Sequence, residues 1–267
     1  MERRAEFSAV VLAADRTATD PLASAAGVPS KTLVPVAGIP MVVRVVQALL
    51  SARDIQNIVL CASAALEMLS PEVNSLLGSG RVRRLDPGRS PSQSAYQALS
   101  LLPVDARVLL TTGDHPLLTP RIIDYFTAKA ASGAAELAVG LASQQVVSAA
   151  YPSTRRTYLR FRDGAYSGCN LFAFMTQRAR EAPAFWRTVE QQRKRPWRLV
   201  RAFGWSPLLR FALRRLTLEQ ALREASKRIG AGVGMVLMPF PEAALDVDTI
   251  QDWQLADSIA QSMQQGG

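Results

Sequence analysis

The sequence predicts an α/β protein: a mostly parallel β-sheet covered by helices on both faces, with a basic helical insertion late in the chain. Three observations lead there. Apolar, β-branched runs of strand length alternate with longer helical patterns. Several of those patterns open at a proline, such as Pro71, Pro91 and Pro120, a residue tolerated at the first helical position because no backbone hydrogen bond is lost there. A chain of 267 residues with 48% apolar content is near the upper size of one α/β domain. A single domain over 1–267 is therefore expected, carrying the insertion at 177–230.

The opening stretch Met1 to Ala14 imitates a secretion signal, with Arg3 and Arg4 ahead of the apolar run Phe7 to Ala14. Glu2 and Glu6 sit wrongly for one and the run is short, so a first buried strand is the better reading. Strands are expected at Phe7 to Ala13, Asn57 to Cys61, Arg81 to Leu85, Arg107 to Thr111, Glu136 to Leu141, Tyr158 to Arg162, Asn170 to Phe174 and Gly234 to Met238. Helices are expected near Pro40 to Ala52, Pro71 to Leu77, Pro91 to Leu101 and Pro120 to Ala131. Asp163-Gly164 is a turn signal between two strands of the middle region. No segment offers the ~18 uninterrupted apolar residues of a membrane span; the richest, Pro207 to Leu216, is broken by Arg210, Arg214 and Arg215. Cys61 and Cys169 are too few for a disulfide framework, which points to a reducing compartment and a cytoplasmic location.

The formal charge of +9 is concentrated. Gln177 to Gly230 holds 14 Lys or Arg against 4 Asp or Glu, a net of +10, leaving the rest of the chain at 17 against 18. Phe185, Trp186, Trp197, Phe203, Trp205 and Phe211 are interleaved with that charge, so the segment reads as short amphipathic basic helices divided by Pro196 and Pro207. Ser206 is expected to cap a helix opening at Pro207. Thr217 with Gln220 makes a capping box for the next helix, which Gly230 closes, and Leu218, Ala221, Leu222 and Ala225 share its apolar face. Such helices suit an anionic membrane surface, which would make the protein peripheral at the inner membrane. They equally suit packing on the main body with the arginines solvated, or a homodimer contact. A groove-reading motif and a basic stripe elsewhere are both missing, which argues against sequence-specific nucleic-acid binding.

In an open sheet of this kind ligands sit beyond the carboxyl ends of the strands. Three polar stretches follow strands: the loop Ala14 to Lys31, then Thr112-Gly113-Asp114-His115-Pro116, then Leu245-Asp246-Val247-Asp248-Thr249 before the last helix. Thr249 with Asp252 can cap that helix unaided, leaving Asp248 one step outside.

These stretches carry a resemblance. Val11-Leu12-Ala13-Ala14, the loop to Pro29-Ser30-Lys31 with Leu33-Val34-Pro35-Val36-Ala37-Gly38-Ile39-Pro40-Met41, the run Thr112 to Leu117, and Asp246-Val247-Asp248-Thr249 together resemble the MobA-like nucleotidyltransferases. That family includes molybdenum-cofactor guanylyltransferases and the cytidylyltransferases of isoprenoid and sugar-acid pathways. The resemblance spans nearly the whole chain and implies a three-layer, Rossmann-like sheet of the GT-A type. It implies nucleotidyl transfer from a nucleoside triphosphate to a phosphorylated or anionic small-molecule or lipid-linked acceptor, with magnesium and release of pyrophosphate. Lys31 matches the family's lysine, and Arg16 in the same loop could serve as a second cation on the phosphates. Asp114 matches the metal-binding aspartate, with Asp248 as second carboxylate and Asp246 as the alternative. Leu12, Ala13, Ala14, Ser92 and Gln93 are candidates for the base, and Asn170 for the acceptor side or for a satisfied turn. His115 occupies the variable position of its motif and is not expected to act as a base. The departure is Asp15, with Thr17, Ala18 and Thr19, where the family has glycines.

Two further functions stay open. Asp246-Val247-Asp248 also reads as the Asp-x-Asp of glycosyltransferases that use a nucleotide-sugar, although theirs follows a central strand. The altered glycine loop would also fit a non-catalytic nucleotide-binding or membrane-surface protein.

Overall fold

The computed structural model describes residues 6–15, 20–154, 156–192 and 205–265. Strand β1 (Phe7–Leu12) is followed by α1 (Pro21–Ala26), a hairpin of β2 (Pro35–Val36) and β3 (Ile39–Pro40), and α2 (Met41–Ser51). Next come β4 (Ile55–Cys61), α3 (Ala64–Leu69), α4 (Pro71–Leu77), β5 (Val82–Leu85), α5 (Pro91–Ser100), β6 (Arg107–Thr112) and α6 (Pro120–Ser132). Then follow β7 (Leu137–Ser143), α7 (Gln144–Ala150), β8 (Leu159–Phe161) and β9 (Gly164–Phe174). The basic segment contributes α8 (Ala182–Gln192), α9 (Trp205–Ala212) and α10 (Leu218–Ile229), after which come β10 (Val233–Leu237) and α11 (Ile250–Gln265).

The sheet runs β10-β7-β9-β6-β1-β4-β5, with β8 pairing off the path onto β9. β9 is antiparallel to both β6 and β7, and the other neighbours on the path are parallel. Strand alternation divides the core. Ala9, Val11, Ile58, Leu60 and Leu109 face a layer built from α2, α3, α4, α6 and α7. Val10, Val59, Cys61, Val108 and Leu110 face α5, α8 and the end of α10. The expected α/β sandwich with a mostly parallel sheet is therefore the observed one. Cys61 and Cys169 lie in it as free thiols, and burial pushes both up to about 12, which leaves them inert.

Each expected strand is present, and β9 is longer than Asn170 to Phe174. Its first half pairs with β7 up to Ser143↔Tyr166 and with β8 up to Phe161↔Gly164. The break lies at Asn170, whose φ of 49° interrupts the alternation, with a register shift between Val139 and Leu141 opposite it. Pro40 stands outside α2, as the last residue of β3, and the Met41 N–H reaches the Val34 carbonyl instead. Ala37 and Gly38, with φ of 49° and 77°, form the two-residue turn of the β2–β3 hairpin.

Within the loop expected from Ala14 to Lys31 lies α1. Asp20 caps it by accepting from Leu22 and Ala23 N–H, Pro21 opens it and Gly27 ends it with φ of 65°. In the basic segment, the Thr217–Gln220 capping box and the left-handed Gly230 stand as expected. The cap at Ser206 does not: Trp205 and Ser206 are both already within α9. The break expected at Pro196 lies outside the described residues.

Arg180, ahead of α8, ties this segment to the main body. It is buried and donates to the carbonyls of Leu99 at 3.2 Å, Leu102 at 3.1 Å and Pro103 at 2.7 Å, and to that of Ala106. These carbonyls belong to the last turn of α5 and the connection to β6, so one guanidinium fixes the entry to the central strand. Arg180→Met is expected to leave them unsatisfied and to cost about 3 kcal/mol, read as a lower midpoint in urea unfolding.

Candidate active site

Three chain-distant stretches meet at the carboxyl ends of β1 and β6. β1 and β6 are in parallel register through Leu12↔Thr112, and the Gly113 N–H continues the pairing by donating to the Leu12 carbonyl at 2.8 Å. Gly113 is tightly enclosed, since a Cβ there would lie 3.0 Å from Ala13 Cβ and 3.3 Å from Thr32, closer than most side-chain contacts. That close approach sets Asp114 beside the loop that carries Lys31. The third stretch is pinned by Val247, whose N–H donates to the Asp114 carbonyl at 2.9 Å while its side chain is buried against the cluster of Leu22, Val34, Met41 and Leu117. Asp246 and Asp248 therefore flank Asp114.

Lys31 Nζ donates to Asp114 Oδ2 at 2.8 Å and to Asp248 Oδ1 at 2.5 Å. Burial of Lys31 disfavours its charge, but the attraction and hydrogen bonds of Asp114 and Asp248 outweigh it and raise the ammonium above 10.5. Asp114 is the mirror case: burial opposes its charge, and Lys31, with help from Thr112, holds the carboxyl below its ordinary value. Its Oδ1 is buried without a hydrogen-bond partner among the described residues. Asp248 is the exposed member, its side chain 64% accessible. The capping arrangement behind it is as the sequence suggests: Asp252 Oδ2 accepts from Thr249 N–H and Oγ1–H, and Thr249 Oγ1 accepts from Asp252 N–H.

Asp246 belongs to a different group. Arg156 pairs with its carboxylate, donates to its carbonyl at 2.9 Å, and lies 3.6 Å from Asp252. Asn170 Nδ2 donates to Asp246 Oδ2 at 3.1 Å. The geometry thus separates the late acidic pair, with Asp248 turned to Lys31 and Asp246 held by Arg156 and Asn170. Sequence reasoning missed Arg156, which lies in an irregular stretch before β8 and carries no motif. Beside this group opens a cleft of about 500 Å3 lined by Ser153, Thr154, Thr249, Gln251, Asp252 and Leu255.

The remaining candidates make these local contacts. Ala13 N–H donates to Cys61 and its carbonyl accepts from Thr32, so this backbone ties the sheet edge together. Ala14 is half-buried beyond it. Ser92 and Gln93 occupy the first turn of α5, where Gln93 Oε1 accepts from the Arg89 N–H at 3.0 Å and Ser92 contacts Ser90 at 2.9 Å. Asp15 turns back and accepts from the Lys31 N–H at 3.0 Å. Arg16 and Thr17 to Thr19 lie outside the described residues. Among the described residues no three His, Cys, Asp or Glu side chains cluster as a metal cage. Asp114 and Asp248 are a pair of oxygen donors, a set that suits a hard cation also bound by phosphate.

His115 is fully buried, its Nε2–H donating to the Glu242 carbonyl at 3.3 Å and its Nδ1 without a partner among the described residues. Burial lowers it to about 4. The unfolded imidazole then binds a proton first as pH falls from 6.5 toward 4, so the native state loses stability over that window. Between pH 7.5 and pH 4.5 this one group is expected to remove about 2–3 kcal/mol. Urea unfolding should show that increment in the native protein and its absence in His115→Gln.

Comparison with known proteins identifies the family and the fold. A family model described as the MobA-like NTP transferase domain matches residues 9–232. A hypothetical transferase from Thermus thermophilus is 32% identical, with a TM-score of 0.77 over 93% of this chain and 99% of that one. A 4-diphosphocytidyl-2C-methyl-D-erythritol synthase from Anaerococcus prevotii superposes at TM-score 0.58 with 12% identity, covering 96% of this chain and 97% of its own. A CMP:2-keto-3-deoxy-manno-octonic acid synthetase complexed with CTP does so at 0.55 with 15% identity, covering 96% and 99%. At those identities the last two show the fold alone. No curated protein matches the chain. The family model and the near-complete coverage of the Thermus protein show that this chain belongs to the MobA-like NTP transferases.

Proposed function

We propose that the protein transfers a nucleoside monophosphate from a nucleoside triphosphate to an anionic, phosphate-bearing acceptor and releases pyrophosphate. The observation that carries this reading is the bridge of Lys31 across Asp114 and Asp248, which joins the three motifs at one point of the sheet edge. An acceptor oxygen attacks the α-phosphorus, a new P–O bond forms, and the bond to the departing pyrophosphate breaks with its electrons leaving on oxygen. An acceptor that is already a phosphate needs no strong base, which agrees with a His115 enclosed in the core.

Asp114 and Asp248 are the residues that would hold magnesium, and the uncommitted Oδ1 of Asp114 supports that fit. Bound there, the ion would supply charge neutralisation at the α-phosphate. Lys31, on its flexible stem, has phosphate oxygens as alternative partners to the two carboxylates. Arg16, from its place in the sequence, is the second cation for the polyphosphate. Asp246 acts through position: neutralised by Arg156, it keeps the Val247 backbone and Asp248 in place. That division also speaks against glycosyl transfer through an Asp-x-Asp pair, since the two carboxylates have separate partners. The cleft beside Asp252 and Arg156 is the route for the acceptor.

The first test is thermal unfolding with each of four nucleoside triphosphates and magnesium. At a hundredfold excess over Kd the preferred one is expected to add about 2.7 kcal/mol, a rise of roughly 5 °C or more at this size. No shift with any of the four would remove the reading.

A second test is pyrophosphate release with that nucleotide and candidate phosphomonoester acceptors. Asp114→Ala and Lys31→Ala are each expected to lose about 10²–10³ in kcat. Asp248→Ala should lose metal-dependent activity more severely than Asp246→Asn; the reverse order would exchange their roles.

A further inference from the structure

We infer that α9 and the turn after it form a docking surface for an anionic lipid bilayer. The inference deepens the transferase reading, on which its functional meaning rests, by locating the acceptor. Among the described residues, α9 is anchored to α10 through Arg210 and to β8 through Phe211. Phe211 packs edge-on against Phe161 of β8, ring centroids 5.5 Å apart and planes at 64°. Beyond the helix the buried Leu216 offers its carbonyl to the Arg162 N–H at 2.9 Å. Leu209 and Leu213 are one turn apart, joined by the Leu213 N–H to the Leu209 carbonyl at 2.9 Å. They point about 200° around the helix from Phe211, and are 60% and 55% exposed. Near them Arg214 and Arg215 are exposed and form no ion pair among the described residues, while Arg210 donates to Gln220 Oε1 of α10 at 2.7 Å. Trp205 to Leu216 contains no Asp or Glu.

Two exposed leucines beside the two exposed guanidinium groups of Arg214 and Arg215 fit one partner best. Lipid phosphates satisfy the arginines while acyl chains take the leucines. A second copy would set arginine against arginine across a two-fold contact, which like charges oppose. A nucleic-acid backbone would satisfy the charge and leave the leucines in water.

The place of α9 gives the surface a use. Ser143, the last residue of β7, pairs with Tyr166, and β8 pairs with the stretch Gly164 to Tyr166. The β8–β9 hairpin therefore projects beyond the carboxyl ends of the parallel strands, the same edge at which Asp114 follows β6. α9 rides on that hairpin, so a bilayer bound to it lies on the side where the acceptor enters.

The test is co-sedimentation of the full chain with phosphatidylcholine vesicles, with and without phosphatidylglycerol. Binding is expected to the anionic vesicles and to be much weaker on phosphatidylcholine alone. Each arginine near such a surface contributes about fivefold, so Arg214→Gln with Arg215→Gln should weaken binding by more than tenfold. Leu209→Gln with Leu213→Gln should weaken it at least tenfold, with thermal midpoints close to the parent because these side chains face solvent. Lack of binding to anionic vesicles, equal binding to both compositions, or binding unmoved by both double variants would overturn the inference. Tighter binding to a random oligonucleotide, unaffected by the leucine changes, would assign the patch to nucleic acid instead. Sedimentation needs no turnover, and nucleotide-induced thermal stabilisation measured on the same variants keeps a failure here separate from a failure of the transferase reading.

Discussion

One ammonium group holds the site together. Lys31 comes from the loop after the first strand, Asp114 from the end of the central strand and Asp248 from the approach to the last helix, positions 83 and 217 residues from the lysine. None of them is local to the others, so the arrangement exists only if the sheet is assembled in its crossover order. The close approach of Gly113 to Ala13 and the Val247 N–H on the Asp114 carbonyl are the steric and hydrogen-bonding constraints that aim all three at one point. A partly buried cation between two carboxylates would be costly if any member were missing. The same balance makes the trio responsive to other charges, because a polyphosphate attracts the lysine while a metal ion attracts the acids.

Around that centre the polar groups are arranged in two tiers. Asp248 is open to solvent, whereas Asp246 is compensated by Arg156 and Asn170. Neighbouring acids on one extended stretch would repel each other if both faced the same empty space. Giving Asp246 its own guanidinium removes most of that repulsion and leaves Asp248 to balance Lys31. Asn170 reaches Asp246 through an uncommon backbone conformation, φ of 49°, inside a strand. The interruption of β9 and the support of the acidic loop are thus one feature seen from two sides.

Much of this was legible beforehand, for physical reasons that can be named. Strands buried on both faces read as continuous apolar runs, and prolines at the first helical turn mark α4, α5 and α6. The short helices α1, α3 and α7 span less than two full turns each, too little for an apolar period to show, and the cap signals Asp20, Pro21 and Gly27 at the ends of α1 are passed over when Ala14 to Lys31 is read as a loop. Asp114, Asp248 and Lys31 stood out because they follow strands in motifs. Arg156 did not, since a long side chain arriving from an irregular stretch has no periodicity or neighbour to announce it. Likewise the ranking of Asp246 against Asp248 depends on which cation each meets, and alternation along one strand carries no information about that.

Asp15 shows how a departure from a family's usual residue is absorbed. A glycine at that position would leave the backbone free to turn at the entrance of the loop, and an aspartate brings both a side chain and a negative charge. Here the carboxylate is turned back onto the Lys31 N–H, across 16 residues of sequence, and so joins the beginning of the loop to its end. The backbone amide it occupies stands at the start of a short 3-10 turn, Lys31–Leu33, whose preceding residue Ser30 provides no cap of its own. The charge thus satisfies a donor at the start of that turn. What the loop loses in glycine flexibility it regains as a cross-brace that fixes the backbone of the very lysine on which Asp114 and Asp248 converge.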